Sequence, residues 1–245
     1  MKQRGAPGPS RPTESSEAAP VHGTPMRQLL LDFTQAPAPT FKNFVPGGND
    51  ELACALEAAV RGEHAERVIY VWGEAGAGKT HLLKAFAQAS GGRARYVPAR
   101  DFVDAGAAPV FALDDVEKLT DEEQVSLFNA FNEGSFDMLL VSASAAPRDV
   151  TIRRDLATRL ATGLTYRVTP LTDAEKRTAL AAHARSRGFA IPDEVTAYLL
   201  THSRRDMGSL IAALDSLDRF SLETGRPVTV PLLKAALQSA LPLEK

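Results

Sequence analysis

The fold is decided by the stretch Arg67-Val-Ile-Tyr-Val-Trp-Gly-Glu-Ala-Gly-Ala-Gly-Lys-Thr80, in which an apolar run leads directly into a glycine-rich segment. The β-branched and aromatic residues of 67–72 predict a buried strand. Residues 73–80 fit the P-loop pattern G-x-x-x-x-G-K-[ST], and residues 79–89 are predicted to be helical. A loop in this context brings backbone N–H groups and a helix N-terminus to bound phosphates. The stretch therefore predicts a nucleotide-binding α/β domain.

Four polar side chains near this loop have predicted chemical roles. Lys79 is expected to reach the β- and γ-phosphates of a nucleotide, and Thr80 is expected to offer its hydroxyl to Mg²⁺. A second apolar strand, Val110-Phe-Ala-Leu-Asp-Asp115, ends in two carboxylates. Ligands of open parallel sheets bind at this end of the strands. We expect Asp114 to hold Mg²⁺ through water and Asp115 to orient or deprotonate an attacking water.

The surrounding sequence alternates between predicted strands and helices, which is typical of an α/β domain with a parallel sheet. Strands are predicted at 67–72, 94–97, 110–113, 138–142 and 164–168, and helices at 51–61, 79–89 and 121–132. After residue 169 only helices are predicted, at 172–187, 192–202, 205–224 and 231–241. The α/β domain is therefore expected to be followed by a small helical bundle.

Composition excludes several other classes of protein. The 245 residues are 44% hydrophobic and 24% charged, close to globular averages, and carry a net charge of −2. This charge argues against a dedicated nucleic-acid coat. The single cysteine, Cys54, excludes an internal disulfide and a cysteine-based zinc site. No apolar run approaches the roughly 20 residues that span a bilayer, so we expect a cytoplasmic protein.

The first 40 residues differ from the rest of the chain. Residues 1–25 are rich in Pro, Gly, Ser and Ala and are predicted to be disordered. They are either an extension that precedes a natural start at Met26 or a genuine flexible tail. Residues 26–40 comprise a short apolar segment and a Pro/Ala linker. The apolar segment is either a strand that docks on the sheet or a peptide that docks on a partner.

Further polar residues allow two interpretations each. Ser142 and Ser144, at the end of a predicted strand, could contact the γ-phosphate or stabilise a turn. The arginines of Arg153-Arg-Asp-Leu-Ala-Thr-Arg159 could be solvated surface charge or could include an arginine finger, which stabilises transition-state charge at another subunit's site. Arg205, at the start of the third bundle helix, could fold back onto a bound nucleotide. The residues alone leave these alternatives open.

Together the P-loop, Asp114-Asp115, the arginine before Leu160 and a bundle that bears Arg205 resemble the AAA+ ATPases of the DnaA initiator clade. Phe41-Lys-Asn-Phe-Val45 resembles the segment with which that clade wraps the adenine side of the nucleotide. Three stretches, 46–50, 187–189 and 217–219, resemble the clade's regulatory members more closely. The implied domains are a disordered extension at 1–25, a clamp-binding peptide and linker at 26–40, a P-loop AAA+ α/β parallel-sheet domain at 41–168, and a small α-helical lid at 169–245.

The resemblance also implies roles for individual residues. Arg159 falls at the position of an arginine finger that acts in trans, and Arg205 falls at the position called sensor 2. Asp115 stands where many AAA+ ATPases have glutamate, which implies slow or absent turnover in this chain. The implied cofactors are ADP, or ATP, with Mg²⁺ held through water by Thr80 and Asp114. The implied nucleotide-binding residues are Phe44, Val45, Gly73, Gly76, Ala77, Gly78, Lys79, Thr80, His81, Asp114, Ser144 and Arg205.

The segment Gln28-Leu-Leu-Leu-Asp-Phe33 resembles the Q-x-x-L-x-F peptide by which bacterial proteins bind the sliding clamp of DNA polymerase III. In that interpretation Gln28 enters a small polar pocket of the clamp. Leu31 and Phe33 fill a hydrophobic pocket, and Leu29 packs alongside them.

As a whole, the resemblance implies a nucleotide-bound regulator that docks on the DNA-loaded clamp. Its Arg159 would stimulate ATP hydrolysis by the initiator DnaA and so prevent re-initiation. An autonomous AAA+ ATPase, such as a helicase loader, is the alternative. A DNA-binding initiator needs a helix-turn-helix domain after the bundle, and the sequence ends at Lys245. We therefore expect no sequence-specific DNA binding and no membrane association, and a homo-oligomer is compatible with the resemblance.

Overall fold

A computed structural model describes residues 38–63, 66–104, 108–204 and 206–240. Its five strands form one parallel sheet in the order β2-β3-β4-β1-β5. Their bounds are β1 Val68–Trp72, β2 Ala94–Pro98, β3 Val110–Asp114, β4 Met138–Ala143 and β5 Leu164–Arg167. All five predicted strands are confirmed. The predicted clamp-binding residues Gln28, Leu29, Leu31 and Phe33 lie outside the described residues.

Eight α-helices lie in the described part of the chain. Their bounds are α1 Asp50–Val60, α2 Lys79–Ala89, α3 Asp121–Glu133, α4 Arg154–Leu160, α5 Asp173–Ser186, α6 Asp193–His202, α7 Met207–Thr224 and α8 Val230–Ala240. Short 3₁₀ turns occur at Phe41–Asn43, Ala99–Asp101 and Val116–Lys118. No helix among the described residues is long and apolar enough to cross a membrane.

The helix predicted to begin at residue 205 begins two residues later, the other predicted helix starts agree to within one residue, and one helix was not predicted. The third bundle helix begins at Met207 rather than at Arg205, because Asp206 is its N-cap and accepts a hydrogen bond from the Ser209 N–H at 2.9 Å. The last helix begins at Val230, one residue before the predicted start. The helix that was not predicted is α4, whose seven residues are too few to show a helical period.

The sheet has a hydrophobic core on each face, because alternate residues of a strand point to opposite sides. Val68 and Tyr70 of β1 belong to the core that contains residues of α3 and α4. Ile69 and Val71 belong to the core that contains residues of α1 and α2. A third core lies within α5–α8. The first part of the chain is therefore a three-layer domain in which both faces of the sheet are covered.

The two edges at which the strands begin and end are chemically different. At the carboxyl edge, where the parallel strands end, the P-loop follows β1 and Asp114 is the last residue of β3. At the amino edge, where the strands begin, the turn after α4 packs tightly on β1. A Cβ on Gly163 would lie 2.1 Å from the Val68 carbonyl oxygen, so only glycine fits there. This close approach fixes the end of α4 at the amino edge.

Asn49 ties the segment before α1 to the segment after β5. Its side-chain amide donates to the carbonyls of Pro46, at 2.8 Å, and Thr169, at 2.9 Å, and its Oδ1 accepts from the Thr169 N–H at 2.7 Å. The side chain is almost fully buried. The stretch 46–50 therefore contains a structural link between segments that are 120 residues apart.

We expect Asn49→Ala to lower the free energy of unfolding by about 1–3 kcal/mol, because it removes the side-chain partner of both the Thr169 N–H and the Thr169 carbonyl. Urea denaturation followed by circular dichroism would measure the change. Asn129→Ala, on the exposed face of α3, is the matched control and should change stability by less than about 0.5 kcal/mol. Equal effects of the two substitutions would contradict the linking role of Asn49.

In the helical part, an ion-pair cluster joins α5 to α7. Arg187 Nε donates to Asp218 Oδ2 at 3.0 Å, and His183 Nε2 contacts Asp215 Oδ1 at 2.7 Å. Both carboxylates are buried, with side-chain exposures of 9% for Asp215 and 10% for Asp218. The stretches 187–189 and 217–219 are therefore linked by the Arg187–Asp218 contact.

Candidate functional site

The P-loop conformation depends on glycine. Gly78 is the N-cap of α2 and has the left-handed φ of +107°, a conformation that side chains with a Cβ rarely adopt. A Cβ on Gly78 would also approach the Phe44 ring to 3.2 Å. At Gly73 a Cβ would lie 2.5 Å from the Val168 carbonyl oxygen. These restrictions keep the loop bare of side chains at the N-terminus of α2, where backbone N–H groups are available to an anion.

Lys79 lies inside the curve of the P-loop. Its ammonium donates to the carbonyls of Gly73, at 2.7 Å, and Glu74, at 3.0 Å, and the residue is only 8% exposed. A buried ammonium with two carbonyl partners still has a third N–H to offer. Lys79 is therefore placed as the cation of a phosphate site, as the motif predicts.

The carboxylate of Asp114 accepts hydrogen bonds from three side-chain hydroxyls. Thr80 donates to Oδ2 at 2.7 Å, Tyr96 donates to Oδ2 at 3.0 Å, and Ser142 donates to Oδ1. The paired oxygens of Thr80 and Asp114 are of the type that Mg²⁺ prefers, so these two residues fit the predicted metal role. Burial, followed by the charge of Asp114, raises the pKa of Tyr96, which keeps its phenol protonated as a donor.

Asp115 has an unusual backbone conformation, with a φ of +60°. It is the only non-glycine residue in the described part of the chain with a positive φ, and such residues concentrate at functional sites. Its N–H donates to Ser142 Oγ at 2.9 Å, and its carboxylate contacts Lys118 Nζ at 2.6 Å. The hydrogen bond and the charge of Asp115 raise the pKa of Lys118. In this conformation the Asp115 carboxylate, which was predicted to activate water, contacts the Lys118 ammonium.

The two serines at the end of β4 have different surroundings. Ser142 is fully buried and bonds both Asp114 and the Asp115 N–H. Ser144, one of the predicted nucleotide-binding residues, is exposed, and its N–H donates to Glu117 Oε1 at 2.9 Å. The structure therefore brings Ser142 to the carboxylate pair, and Glu117 holds the backbone that presents Ser144.

The segment before α1 lies against the P-loop helix. Thr40 and Asn43 form a reciprocal cap around the first 3₁₀ turn, and His81 Nε2 lies 3.0 Å from the Thr40 carbonyl oxygen. The Phe44 and His81 rings are 5.6 Å apart, and Val45 is half-buried beside Phe44. Burial lowers the pKa of His81, against the effect of the Thr40 carbonyl. The imidazole is therefore neutral at pH 7, and the predicted nucleotide-facing segment lies next to the loop.

The start of α7 also lies beside the P-loop. A Cβ on Gly76 would lie 3.8 Å from the Cβ of Asp206. The predicted sensor-2 residue Arg205 precedes Asp206 in the chain but lies outside the described residues. Ala77, predicted for the same site, is buried within the loop.

Arg159 lies far from all of these residues. It is in the last turn of α4, is exposed, and has its guanidinium carbon 6.0 Å from the centre of the Phe131 ring. The guanidinium carbon of Arg67, the residue before β1, lies 4.9 Å from the centre of the same ring. Arg159 is therefore at the amino edge, whereas the P-loop is at the carboxyl edge, roughly 13 Å away along β1 at about 3.3 Å per residue.

Some site residues could not be chosen from sequence. Tyr96 was missed because its role depends on β2 lying next to β3, and strand order has no local signal. Lys118 and Glu117 were missed because they act through a 3₁₀ turn whose direction depends on the left-handed Asp115. Ser142 was considered together with Ser144, and only the structure separates their roles.

Comparisons with known proteins agree with this architecture. Residues 36–105 match the model of the bacterial DnaA ATPase domain, and residues 173–237 match the model of the Hda lid domain. Domain III of DnaA from Thermotoga maritima superposes with a TM-score of 0.69 at 21% identity, covering 82% of this chain and 96% of that one.

Two further solved structures have the same fold. AMPPCP-bound DnaA from Aquifex aeolicus has a TM-score of 0.63 at 21% identity, over 78% of this chain and 68% of that one. A RuvB variant from Thermotoga maritima has a TM-score of 0.62 at 17% identity, over 83% and 74%. At these identities the likeness establishes the fold alone, and the two family models specify its branch. The chain is an Hda-like, DnaA-related AAA+ protein, with an α/β domain followed by a helical lid.

Proposed function

We propose that this DnaA-related regulator binds ADP or ATP and uses Arg159 to stimulate ATP hydrolysis by the initiator DnaA. In this proposal the nucleotide bound by this chain is a structural cofactor, and the nucleotide that is hydrolysed belongs to the partner. The observation that carries the proposal is the position of Arg159, exposed at the amino edge and away from its own P-loop.

Nucleotide binding is supported by the carboxyl edge of the sheet. Lys79 and the N-terminus of α2 supply positive potential for the phosphates. Phe44 and His81 provide ring surfaces beside the loop for the base. Mg²⁺ would neutralise phosphate charge, and Thr80 with Asp114 offers it oxygen atoms. Among the solved neighbours, the Aquifex aeolicus DnaA binds the ATP analogue AMPPCP.

Slow turnover by this chain itself is supported by the state of Asp115. Its carboxylate contacts Lys118. The aspartate side chain is also shorter than the glutamate that many AAA+ ATPases have at this position. A carboxylate oxygen that contacts an ammonium is less available to bind and orient a water. The nucleotide would then persist and hold the α/β domain and lid together around the P-loop, where Asp206 approaches Gly76.

Stimulation in trans is supported by the exposure and the charge of Arg159. Among the described residues its guanidinium has no carboxylate partner, so it is available to another molecule. An arginine supplied to a neighbouring active site stabilises the charge that develops during phosphoryl transfer. DnaA-related AAA+ partners offer such a site, since their ATP is bound at a carboxyl edge like the one described above.

The clamp provides the place at which this encounter occurs. Residues 28–33 match the clamp-binding pattern, and a Pro/Ala segment separates them in sequence from the AAA+ domain, which they would tether to the clamp. Tethering raises the effective concentration of one partner near another. DnaA bound to DNA near a loaded clamp would thus be reached preferentially.

The deciding experiment measures ATP hydrolysis by DnaA with this protein, in the presence and absence of DNA-loaded clamp and of ADP. We expect stimulation to require both the clamp and the bound ADP. Absence of stimulation under every combination would overturn the proposal. Rapid ATP hydrolysis by this protein without DnaA or clamp would favour an autonomous ATPase instead.

A further inference from the structure

Arg159 is one of three exposed arginines in the described part of the chain, with Arg67 and Arg167, whose guanidinium lies near an aromatic ring. Its guanidinium carbon lies 6.0 Å from the centre of the Phe131 ring, within the range at which a cation is attracted to an aromatic face. A long exposed side chain otherwise samples many rotamers and loses that freedom when it enters a partner's site. A ring that restricts the guanidinium beforehand reduces this loss.

Phe131 is itself held in place. It lies in the last turns of α3, which ends at the left-handed Gly134, and its ring meets Phe136 edge-on at a centroid distance of 6.2 Å. Phe136 is almost completely buried, so this contact anchors Phe131 to the core. The half-buried Phe131 ring therefore connects the interior to the surface on which Arg159 lies.

Arg67 lies over the same Phe131 ring and is held there by a hydrogen bond. It donates from Nη2 to the Phe136 carbonyl oxygen at 2.9 Å, and its guanidinium carbon lies 4.9 Å from the Phe131 ring centre. Arg67 is thereby anchored by a backbone acceptor, and Arg159 has no such anchor among the described residues. Two cations near one ring repel each other, so the less restrained one is displaced outward, toward solvent.

We propose that Phe131 is a positioning residue that pre-orients the Arg159 guanidinium for insertion into the partner's nucleotide site, with Arg67 as the fixed charge that directs it outward. This inference rests on the proposed function of Arg159. The Phe131 ring makes no contact with the partner's nucleotide in this scheme. Its contribution is to increase the fraction of molecules in which Arg159 is already oriented.

The test compares Phe131→Leu with Phe131→Tyr. Leucine keeps apolar volume and removes the ring, so maximal stimulation of DnaA hydrolysis should fall about 2- to 5-fold, the size of an exposed cation–π contact. The concentration that gives half-maximal stimulation should change little, since clamp docking is untouched. Tyrosine keeps the ring and should retain near-normal stimulation. Unchanged maximal stimulation by Phe131→Leu would overturn the proposal.

Nucleotide affinity separates positioning from a general structural effect. Phe131→Leu should bind ADP as the wild type does, because the P-loop lies at the opposite edge of the sheet. A loss of ADP affinity as large as the loss of stimulation would show that Phe131 acts through packing and would overturn the proposal.

A measurement on the protein alone distinguishes failure of this inference from failure of the proposed function. The side-chain Nε–H resonance of Arg159, assigned by comparison with Arg159→Ala, should carry a ring-current shift in the wild type and in Phe131→Tyr. The shift should disappear in Phe131→Leu. A shift of this kind in a protein that does not stimulate DnaA would contradict the proposed function and leave the contact established. If the chemical shift of the Arg159 Nε–H is the same in Phe131→Leu as in the wild type, the positioning role of Phe131 is overturned.

Discussion

Replacing Arg159 by alanine is expected to abolish stimulation of DnaA hydrolysis, a loss on the order of 10³-fold or more when measured against the fully stimulated rate. The physical reason is that the guanidinium stabilises charge that develops only in the transition state, so nothing else in the complex replaces it. A single-turnover assay with ATP-loaded DnaA, ADP and DNA-loaded clamp would measure the rate.

The substitution should act on this step alone. Arg159 is exposed and distant from the P-loop, so Arg159→Ala should bind ADP and clamp as the wild type does. Arg154→Ala is the matched control, because Arg154 is an exposed arginine at the opposite end of the same helix. Arg154→Ala should keep most of the stimulation. Normal stimulation by the Arg159→Ala variant would exclude the finger mechanism.

This prediction depends on information that the sequence holds only in part. The residues around Arg159 allowed a solvated surface as readily as a finger, and the family resemblance favoured the finger. The structure adds that α4 ends at the amino edge, where Gly163 packs onto the Val68 carbonyl. A seven-residue helix and a close backbone approach have no periodic signal, so sequence reasoning could not place the guanidinium.

The carboxyl edge shows the opposite case. Thr80 and Asp114, both predicted for the metal site, are in contact, because the P-loop is local in sequence and a strand end delivers the carboxylate to the same edge. The partners that complete this site come from other strands. Tyr96 reaches Asp114 only because β2 pairs with β3, and Ser142 does so because β4 pairs with β3. Local motifs therefore predict the centre of the site, and topology selects its surroundings.

Asp115 marks a third kind of limit. Its place in the motif was evident, but its left-handed backbone and its contact with Lys118 depend on how the chain turns after β3. Both features bear on the proposed role of Asp115, since they determine whether its carboxylate oxygens are free to contact a water. The inference of slow turnover from side-chain length alone thus gains a geometric basis in the lysine contact.

Replacing Lys79 by alanine is the second substitution with a large expected effect, at least a 100-fold loss of affinity for ADP and ATP. The side chain is nearly buried and supplies the only ammonium among the described residues that contacts the P-loop carbonyls. Its removal takes away a charge-assisted donor to phosphate and the ammonium that bonds the Gly73 carbonyl.

Isothermal titration calorimetry would measure the loss directly, and nucleotide-dependent thermal stabilisation gives an independent readout. At a concentration of 100 times the wild-type Kd, nucleotide stabilises the wild type by about 2.7 kcal/mol. A variant with 100-fold weaker binding gains only about 0.4 kcal/mol from the same concentration, by the same relation. Lys84→Ala, on the same helix but over the Tyr96 ring, is the matched control and should bind nucleotide normally.

The Lys79→Ala variant should also separate nucleotide binding from docking on the clamp. If the nucleotide holds the lid against the P-loop, Lys79→Ala should fail to stimulate DnaA even though Arg159 and residues 28–33 are intact. Its clamp binding should equal that of the wild type, because the docking peptide lies outside the nucleotide site in sequence. Full stimulation of DnaA by a Lys79→Ala protein that binds no nucleotide would contradict the role of ADP as a structural cofactor, while leaving the finger mechanism in place.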